Sequence, residues 1–471
     1  MRRATFVSHA GVVMAASAAA SAYAAPPWSD PQPVGAPARA IDLPTIAFAS
    51  NGTALMSRRV NDSESLTPEQ DRDLLSTLSP AGDLTEKGRV PDHLAAPPVL
   101  LPRGRVALLR EPIVADPNKN PRTIRLSLSV GTLARPVPRG KARRIARYTR
   151  VPSDANKGPV MAAGPGGRLA IVWMTYRGDE FGTGRYRVRL AVRRPDGRFE
   201  RTRTVAAGKI SSERDTNSVA VAFAHTRDVV VAYEVDGQRR SDIRVRTLRR
   251  GRRLDRPQVL GPHAGLSQLR VAAGRDGRAI VAWATQDSGE EADVPSVVRA
   301  AIREPGGSRF GSTRVIDPGE ATERMPGRLC LAMAPDGSAV LAWSNVRGRL
   351  SALSYPVRAS TADAGEAFGP VAVLAANGAV ADATARADGA MLVAWRNPDD
   401  PPLGPAQAYA ALRAGPAQPF GSPELITESA PAQGIQRRAA AAFDPLTGRP
   451  TVVSSGWVQS ADTLRLSTRI G

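Results

Sequence analysis

Cysteine is almost missing. The 471 residues hold one, Cys330, so no intramolecular disulfide can form. Its place in the apolar run Leu329-Cys330-Leu331 suits a small buried hydrophobe better than a nucleophile. Histidine is sparse too: His9, His93, His225 and His263 stand far apart with no ligand spacing, so no metal is expected. No Gly-x-Ser-x-Gly, phosphate-binding loop or EF-hand loop occurs, and no serine can be given His and acidic partners, so no cofactor is expected either. After the N-terminus no apolar run approaches the ~20 residues of a membrane span, and no transmembrane segment is expected.

Lysine is scarce too. Of 64 basic residues only Lys87, Lys119, Lys141, Lys157 and Lys209 are lysines, in a chain with a net charge of +20. Arginine dominance with abundant Ala, Gly and Pro looks like the drift of a GC-rich genome. Such a charge attracts polyanions in general. No zinc-finger, helix-turn-helix or aromatic stacking pattern accompanies it, so specific nucleic-acid recognition is not expected.

The N-terminus starts Met1-Arg2-Arg3, runs through an Ala/Val-rich stretch and reaches Ala22-Tyr23-Ala24. That order reads as a secretory signal over residues 1–24, with a single domain over 25–471. The expected location is secreted or extracytoplasmic. Whether export follows the general or the twin-arginine route stays open.

What the chain does have is a repeat. Residues 329–343, LCLAMAPDGSAVLAW, place two apolar runs around Pro-Asp-Gly, which reads as a tight hairpin with a two-residue connection. The pattern returns at 159–173, 269–283 and 381–395. Anchors fall at Gly52, Gly104, Gly167, Gly277, Gly337, Gly389 and Gly448, with Arg227 in the remaining slot, at gaps of 52, 63, 60, 50, 60, 52 and 59 residues. Five positions before the anchor stand Ala47, Ala162, Ala222, Ala272 and Ala332; six after it stand Trp173, Tyr233, Trp283, Trp343 and Trp395. Small residues suit innermost strands crowded round an axis, and rings at one register suit packing between blades rather than a sugar-binding stripe. Two more strand-like runs follow each hairpin. The expected fold is an all-β propeller of four-stranded antiparallel blades, eight of them, with seven as the alternative. The chain stops at the third strand of the last blade, so residues 28–35 are expected to supply its fourth and close the ring.

The hairpin Met333-Ala334-Pro335-Asp336-Gly337-Ser338-Ala339-Val340-Leu341-Ala342-Trp343 resembles the Pro-Asp-Gly hairpin of WD40-like repeats in TolB-type secreted bacterial propellers. The resemblance extends over nearly the whole chain after residue 24. It implies a fold and no particular activity. A sialidase Asp-box sets its aromatic about three residues after the glycine, whereas here the interval is six. No functional residue carries over from either family.

The loops after the second strands are acidic: Asp179 and Glu180; Asp287, Glu290, Glu291 and Asp293; Asp399 and Asp400. They are the candidate ligand-binding residues, placed beside a channel mouth to take calcium or a cationic partner. Arginines gather instead in outer strands, as at Arg244, Arg246, Arg249, Arg250, Arg252 and Arg253, where a rim can grip an anionic polymer. These features favour a monomeric, non-catalytic binding or scaffold module at the cell envelope, its partner an unknown protein or an anionic envelope polymer. An enzyme is the lesser expectation. The alternative is a glycan-acting propeller hydrolase or lyase, sialidase-like or related, with carboxylates from separate blades meeting over the channel.

Overall fold

The turn glycines set the geometry of each repeat. In the computed structural model Gly277, Gly337 and Gly389 have φ of 97°, 92° and 81°, which side chains with a Cβ resist. The turn is not the two-residue connection expected. Gly337 N donates to Ala334 O and Ala334 N to Ser338 O, so three residues span the strands, with the glycine alone in the left-handed region. The aspartate fixes the other half of the turn: Asp336 Oδ1 accepts from Ser338 N at 2.9 Å, and Asp276 Oδ1 from Arg278 N at 3.0 Å.

The structure describes residues 28–29, 32–38, 40–61, 71–90, 93–111, 122–138, 142–150, 158–178, 184–210, 218–224, 227–235, 241–250, 252–263, 268–286, 296–320, 323–347, 354–397, 407–428, 439–458 and 461–468. Over these residues the chain is an all-β propeller of four-stranded antiparallel blades. Gln268–Ala273, Ala279–Gln286, Ser296–Arg303 and Arg314–Asp317 are a representative blade, each strand paired with the next. None of the described helical segments is long and apolar enough to cross a membrane.

Eight separate blades were expected, and the structure corrects this: the strands form seven sheets. One of them has nine strands, running from His93–Leu94 to Arg203–Ile210. It takes two of the sequence repeats, because Arg143–Arg150 pairs with Arg168–Gly178 at Thr149↔Tyr176 and joins what would otherwise be two blades. The N-terminal strand Gln32–Ala38 pairs antiparallel with Ala461–Thr468, with Gln32 opposite Leu466 and Val34 opposite Leu464. Chain ends 430 residues apart are thereby hydrogen-bonded into one sheet with Ala439–Phe443 and Pro450–Val458. The signal expected at 1–24 lies outside the described residues.

The repeated aromatics are core. Trp173, Tyr233, Trp283, Trp343 and Trp395 are each at most 3% exposed. Trp283 packs with Leu269 of its own blade and with Ala220, Val230 and Ile243 of the blade before, so one ring fills the gap between two sheets. Arginines clasp the turns: Arg278, fully buried, donates from Nη1 to Gly337 O and Asp363 O of the next blade, both at 2.9 Å. Arg413 holds Asp363 through two bonds of 2.8 and 3.0 Å. Arginine in this chain is in part an inter-blade fastener, which its place on outer strands does not reveal.

Candidate functional site

The first strand of a blade has one edge paired with its own second strand and the other turned to the axis. Its outward backbone groups therefore need partners from somewhere else. Three neighbouring blades solve this with side chains. Gln268 Oε1 accepts from Leu329 N at 2.9 Å, Cys330 Sγ lies 3.7 Å from Ala381 O, and Asp382 Oδ2 accepts from Ala441 N at 3.0 Å. Each contact crosses from one innermost strand to the next.

Arg270, Cys330 and Asp382 occupy one register, seven residues before Gly277, Gly337 and Gly389. Arg328 lies two residues from Cys330 on the same strand, Glu323–Met333. Together they form a polar cluster among the innermost strands. Arg270, Arg328 and Asp382 are each half-buried there. Burial pushes the Asp382 carboxyl up from the ordinary aspartate range; Arg328, the Ala441 and Ala383 N–H groups and Arg270 pull it down without cancelling that rise. The same burial pushes the Arg270 guanidinium down and the Cys330 thiol up, so Cys330 is a protonated, inert packing residue.

Antiparallel alternation places the cluster. A first strand enters from one face and leaves at its Gly turn on the other; the second returns, so the second-to-third connections share the face where first strands begin. Gln286 and Ser296, paired at the end of one such hairpin, lie at that face. The candidate binding residues Asp179, Glu180, Asp287, Glu290, Asp293, Asp399 and Asp400, with Glu291, lie outside the described residues. Among the described residues no group of three or more His, Cys, Asp or Glu is placed to hold a metal.

The sequence reading passed over Asp382 and Arg270. A signal was there: a charge in the middle of an Ala-rich inner strand, at the same register in two blades separated by one.

The raised Asp382 carboxyl sets a stability test. A folded pKa above the unfolded one gives a contribution that is full below the unfolded pKa, about 3.9, and lost as pH rises through the folded value. Wild type should therefore lose stability relative to Asp382→Asn between acid and neutral pH, as read from urea midpoints across that range. A constant difference would show that Asp382 is ionised with an ordinary pKa.

No family model matches the chain, and no curated protein matches it in sequence. Solved structures do. A polysaccharide lyase, Uly1, superposes with a TM-score of 0.45 at 8% identity, over 93% of this chain and 90% of that one. An α-L-arabinanase of Penicillium chrysogenum gives 0.37 at 14%, over 79% and 91%. The NanB sialidase of Streptococcus pneumoniae, as its K499G mutant, gives 0.35 at 14%, over 94% and 71%. By these names all three are glycan-processing enzymes. The expectation of a non-catalytic binding or scaffold module, with an enzyme the lesser reading, is not what these names favour: they side with its alternative, and the likeness itself is one of fold.

Proposed function

We propose that this chain is a glycan-acting propeller enzyme working outside the cytoplasm, and that it cleaves an acidic polysaccharide by elimination at Asp382, Arg270 and Arg328. The observation that carries this reading is a half-buried aspartate on an innermost strand, its carboxyl hydrogen-bonded to Ala383 N and across to Ala441 N of the next blade, with two arginines close enough to bias its ionisation. A carboxyl whose pKa is raised by its surroundings is a stronger base, when ionised, than one in water. Guanidinium groups match a sugar carboxylate in shape and charge.

The chemistry balances with these groups alone. Asp382, ionised, takes the proton on the carbon next to the sugar carboxylate. Arg270 and Arg328 hold that carboxylate and stabilise the charge that grows on it. The carbon–oxygen bond one carbon further on breaks, its electron pair leaves with the glycosidic oxygen, and a carbon–carbon double bond remains. The oxygen gains a proton, which the protonated Asp382 can return. Hydrolysis with two carboxyl groups ~5–9 Å apart would need a second acid. Among the described residues the channel cluster contains only Asp382, whereas elimination requires one. The leading residues Met1 to Ala24 support export of the enzyme to where such polymers lie.

The test is a panel of polyuronic acids and neutral glycans, followed by ultraviolet absorbance of the unsaturated end and by new reducing ends. Polyuronate should be cut with both signals rising together, faster as pH climbs through the Asp382 pKa. Asp382→Asn should lower the rate by about 10²–10⁴ with unchanged circular dichroism. Reducing ends without the unsaturated chromophore, or full activity in the variant, would overturn the elimination.

A further inference from the structure

The opposite face of the disc carries the first-to-second and third-to-fourth turns, and between two neighbouring blades it opens a cleft of about 1250 Å³. The cleft is walled by turns of the blade spanning Val219 to His263 and of the blade spanning Gln268 to Asp317. Eight arginines line it against three aspartates, Asp228, Asp255 and Asp276, a local excess of five positive charges. In a chain this basic a chance cluster of exposed arginines would carry little meaning. Three features set this one apart.

First, several of the arginines are anchored. Arg246 donates from Nε to Asp255 O at 2.8 Å and from Nη1 to Val205 O at 2.7 Å; Arg249 donates from Nη2 to Ser308 O at 2.6 Å. Fixed in this way, their remaining N–H groups lose little further freedom on meeting an anion. Second, Arg303, only 3% exposed, lines the cleft with its Nη groups bound to Thr247 Oγ1 and Gly277 O, while its Nε finds no partner. A buried donor left over beside a cleft is a position where a ligand oxygen is worth most. Third, Arg250 adopts φ 45°, unusual for a side chain of this size, and is held there by its backbone N–H on Asp228 Oδ1 at 2.8 Å. The turn is kept in a conformation its own residues do not favour.

We infer that this cleft is a binding site for a linear polysaccharide bearing closely spaced sulfate or carboxylate groups, separate from the channel cluster. Planar guanidiniums suit tetrahedral sulfate and planar carboxylate through paired hydrogen bonds, which lysine cannot reproduce. The volume exceeds what one small anion fills, and Arg227, Arg252 and Arg253 extend the charge onto the exposed lip. The site would hold the polymer on the face away from the channel cluster and keep the protein on its substrate or matrix. It does not depend on the elimination proposed above, because binding is read without turnover.

The test compares three proteins on heparin as a sulfated chain, on a polyuronate, and on linear polyphosphate: wild type, Arg227→Ala/Arg252→Ala/Arg253→Ala, and a control with Arg125→Ala/Arg144→Ala/Arg147→Ala. The control residues are also exposed and remove the same three charges elsewhere. Matched melting curves check folding. Wild type should bind the glycans with a steep salt dependence. The cleft variant should lose about 2 units of the log Kd against log salt slope, three contacts at roughly 0.7 each, while the control changes by much less. Equal weakening of both variants would reduce the effect to overall charge and overturn the site. Binding of polyphosphate alone, with neither glycan retained, would overturn the polysaccharide as its ligand.

Discussion

Arg358→Ala is expected to destabilise the protein by about 3–5 kcal/mol, the cost of stranding buried charges. Arg358, on the third strand Val357–Ala362 of its blade, meets three carboxylates: Asp317 at the end of the last strand of the blade before, Glu320 just after it, and Glu323 at the start of the first strand of its own blade. Its Nη1 lies 3.1 Å from Asp317 Oδ2, and its Nη2 lies 2.8 Å from Glu320 Oε1 and 2.6 Å from Glu323 Oε1. Glu323 is completely buried and also accepts from Asn345 Nδ2 at 2.9 Å; Asp317 accepts from Trp343 Nε1 at 2.9 Å. Removing the guanidinium leaves two buried carboxylates without their cation. Glu320 is about half exposed and would turn to water at small cost.

The pH dependence of this variant separates charge from packing. Burial alone would push the Glu323 carboxyl up, but hydrogen bonds from Arg358 and Asn345, with the Arg358 charge, outweigh it and hold the carboxyl below the ordinary glutamate range. A depressed folded pKa stabilises above the unfolded pKa, about 4.3, and that contribution is lost as pH falls through the folded value. In Arg358→Ala the bonds from Asn345 and Glu320 N remain but the guanidinium's hydrogen bond and charge are gone, so Glu323 should titrate higher than in wild type and the deficit against wild type should shrink in acid. Urea midpoints at several pH values measure it. A deficit independent of pH would assign the loss to packing. Arg358→Lys, which keeps the charge and loses the fork, should recover only part.

The hairpins were legible because their physics is local. A glycine with positive φ, an aspartate closing the turn and an aromatic at a fixed distance all lie within about fifteen residues of one another. The closing strand was legible in part: residues 28–35 were expected, and the strand that pairs with Ala461–Thr468 is Gln32–Ala38. What sequence could not show is which strands become neighbours across blades. Thr149 and Tyr176 look like members of two repeats, and only their pairing joins those repeats in one sheet, so that eight repeats make seven sheets. The channel cluster escaped for the same reason. Arg270, Cys330 and Asp382 are more than fifty residues apart in steps, and each by itself is an odd polar residue in an apolar strand. Their meaning comes from the ring that sets one beside the next. Arg278 is a like case: its place beside the turn Arg275-Asp276-Gly277 gives no sign that it is fully buried.

Trp283→Ala should be the other large loss, about 3–5 kcal/mol, because the ring is wholly buried between two sheets and neither can close the gap without shifting its strands. The comparison with Trp343 makes this informative. Both occupy the same register, six residues after the turn glycine, and both are at most 1% exposed. Trp283 Nε1 has no hydrogen-bond partner, whereas Trp343 Nε1 donates to Asp317, the carboxylate that also receives Arg358. Trp283→Phe removes part of a ring together with an unpaired donor, so its cost should be small beside that of the alanine variant. Trp343→Phe removes a similar volume and also a bond to a charged acceptor, worth about 1.5–3 kcal/mol more. Denaturant midpoints of the four proteins decide the matter. If Trp283→Phe and Trp343→Phe fall together, the register acts through volume alone. If Trp343→Phe falls further, and the excess vanishes when Arg358→Ala is already present, then the indole and the guanidinium share Asp317 and hold the two blades together as one unit.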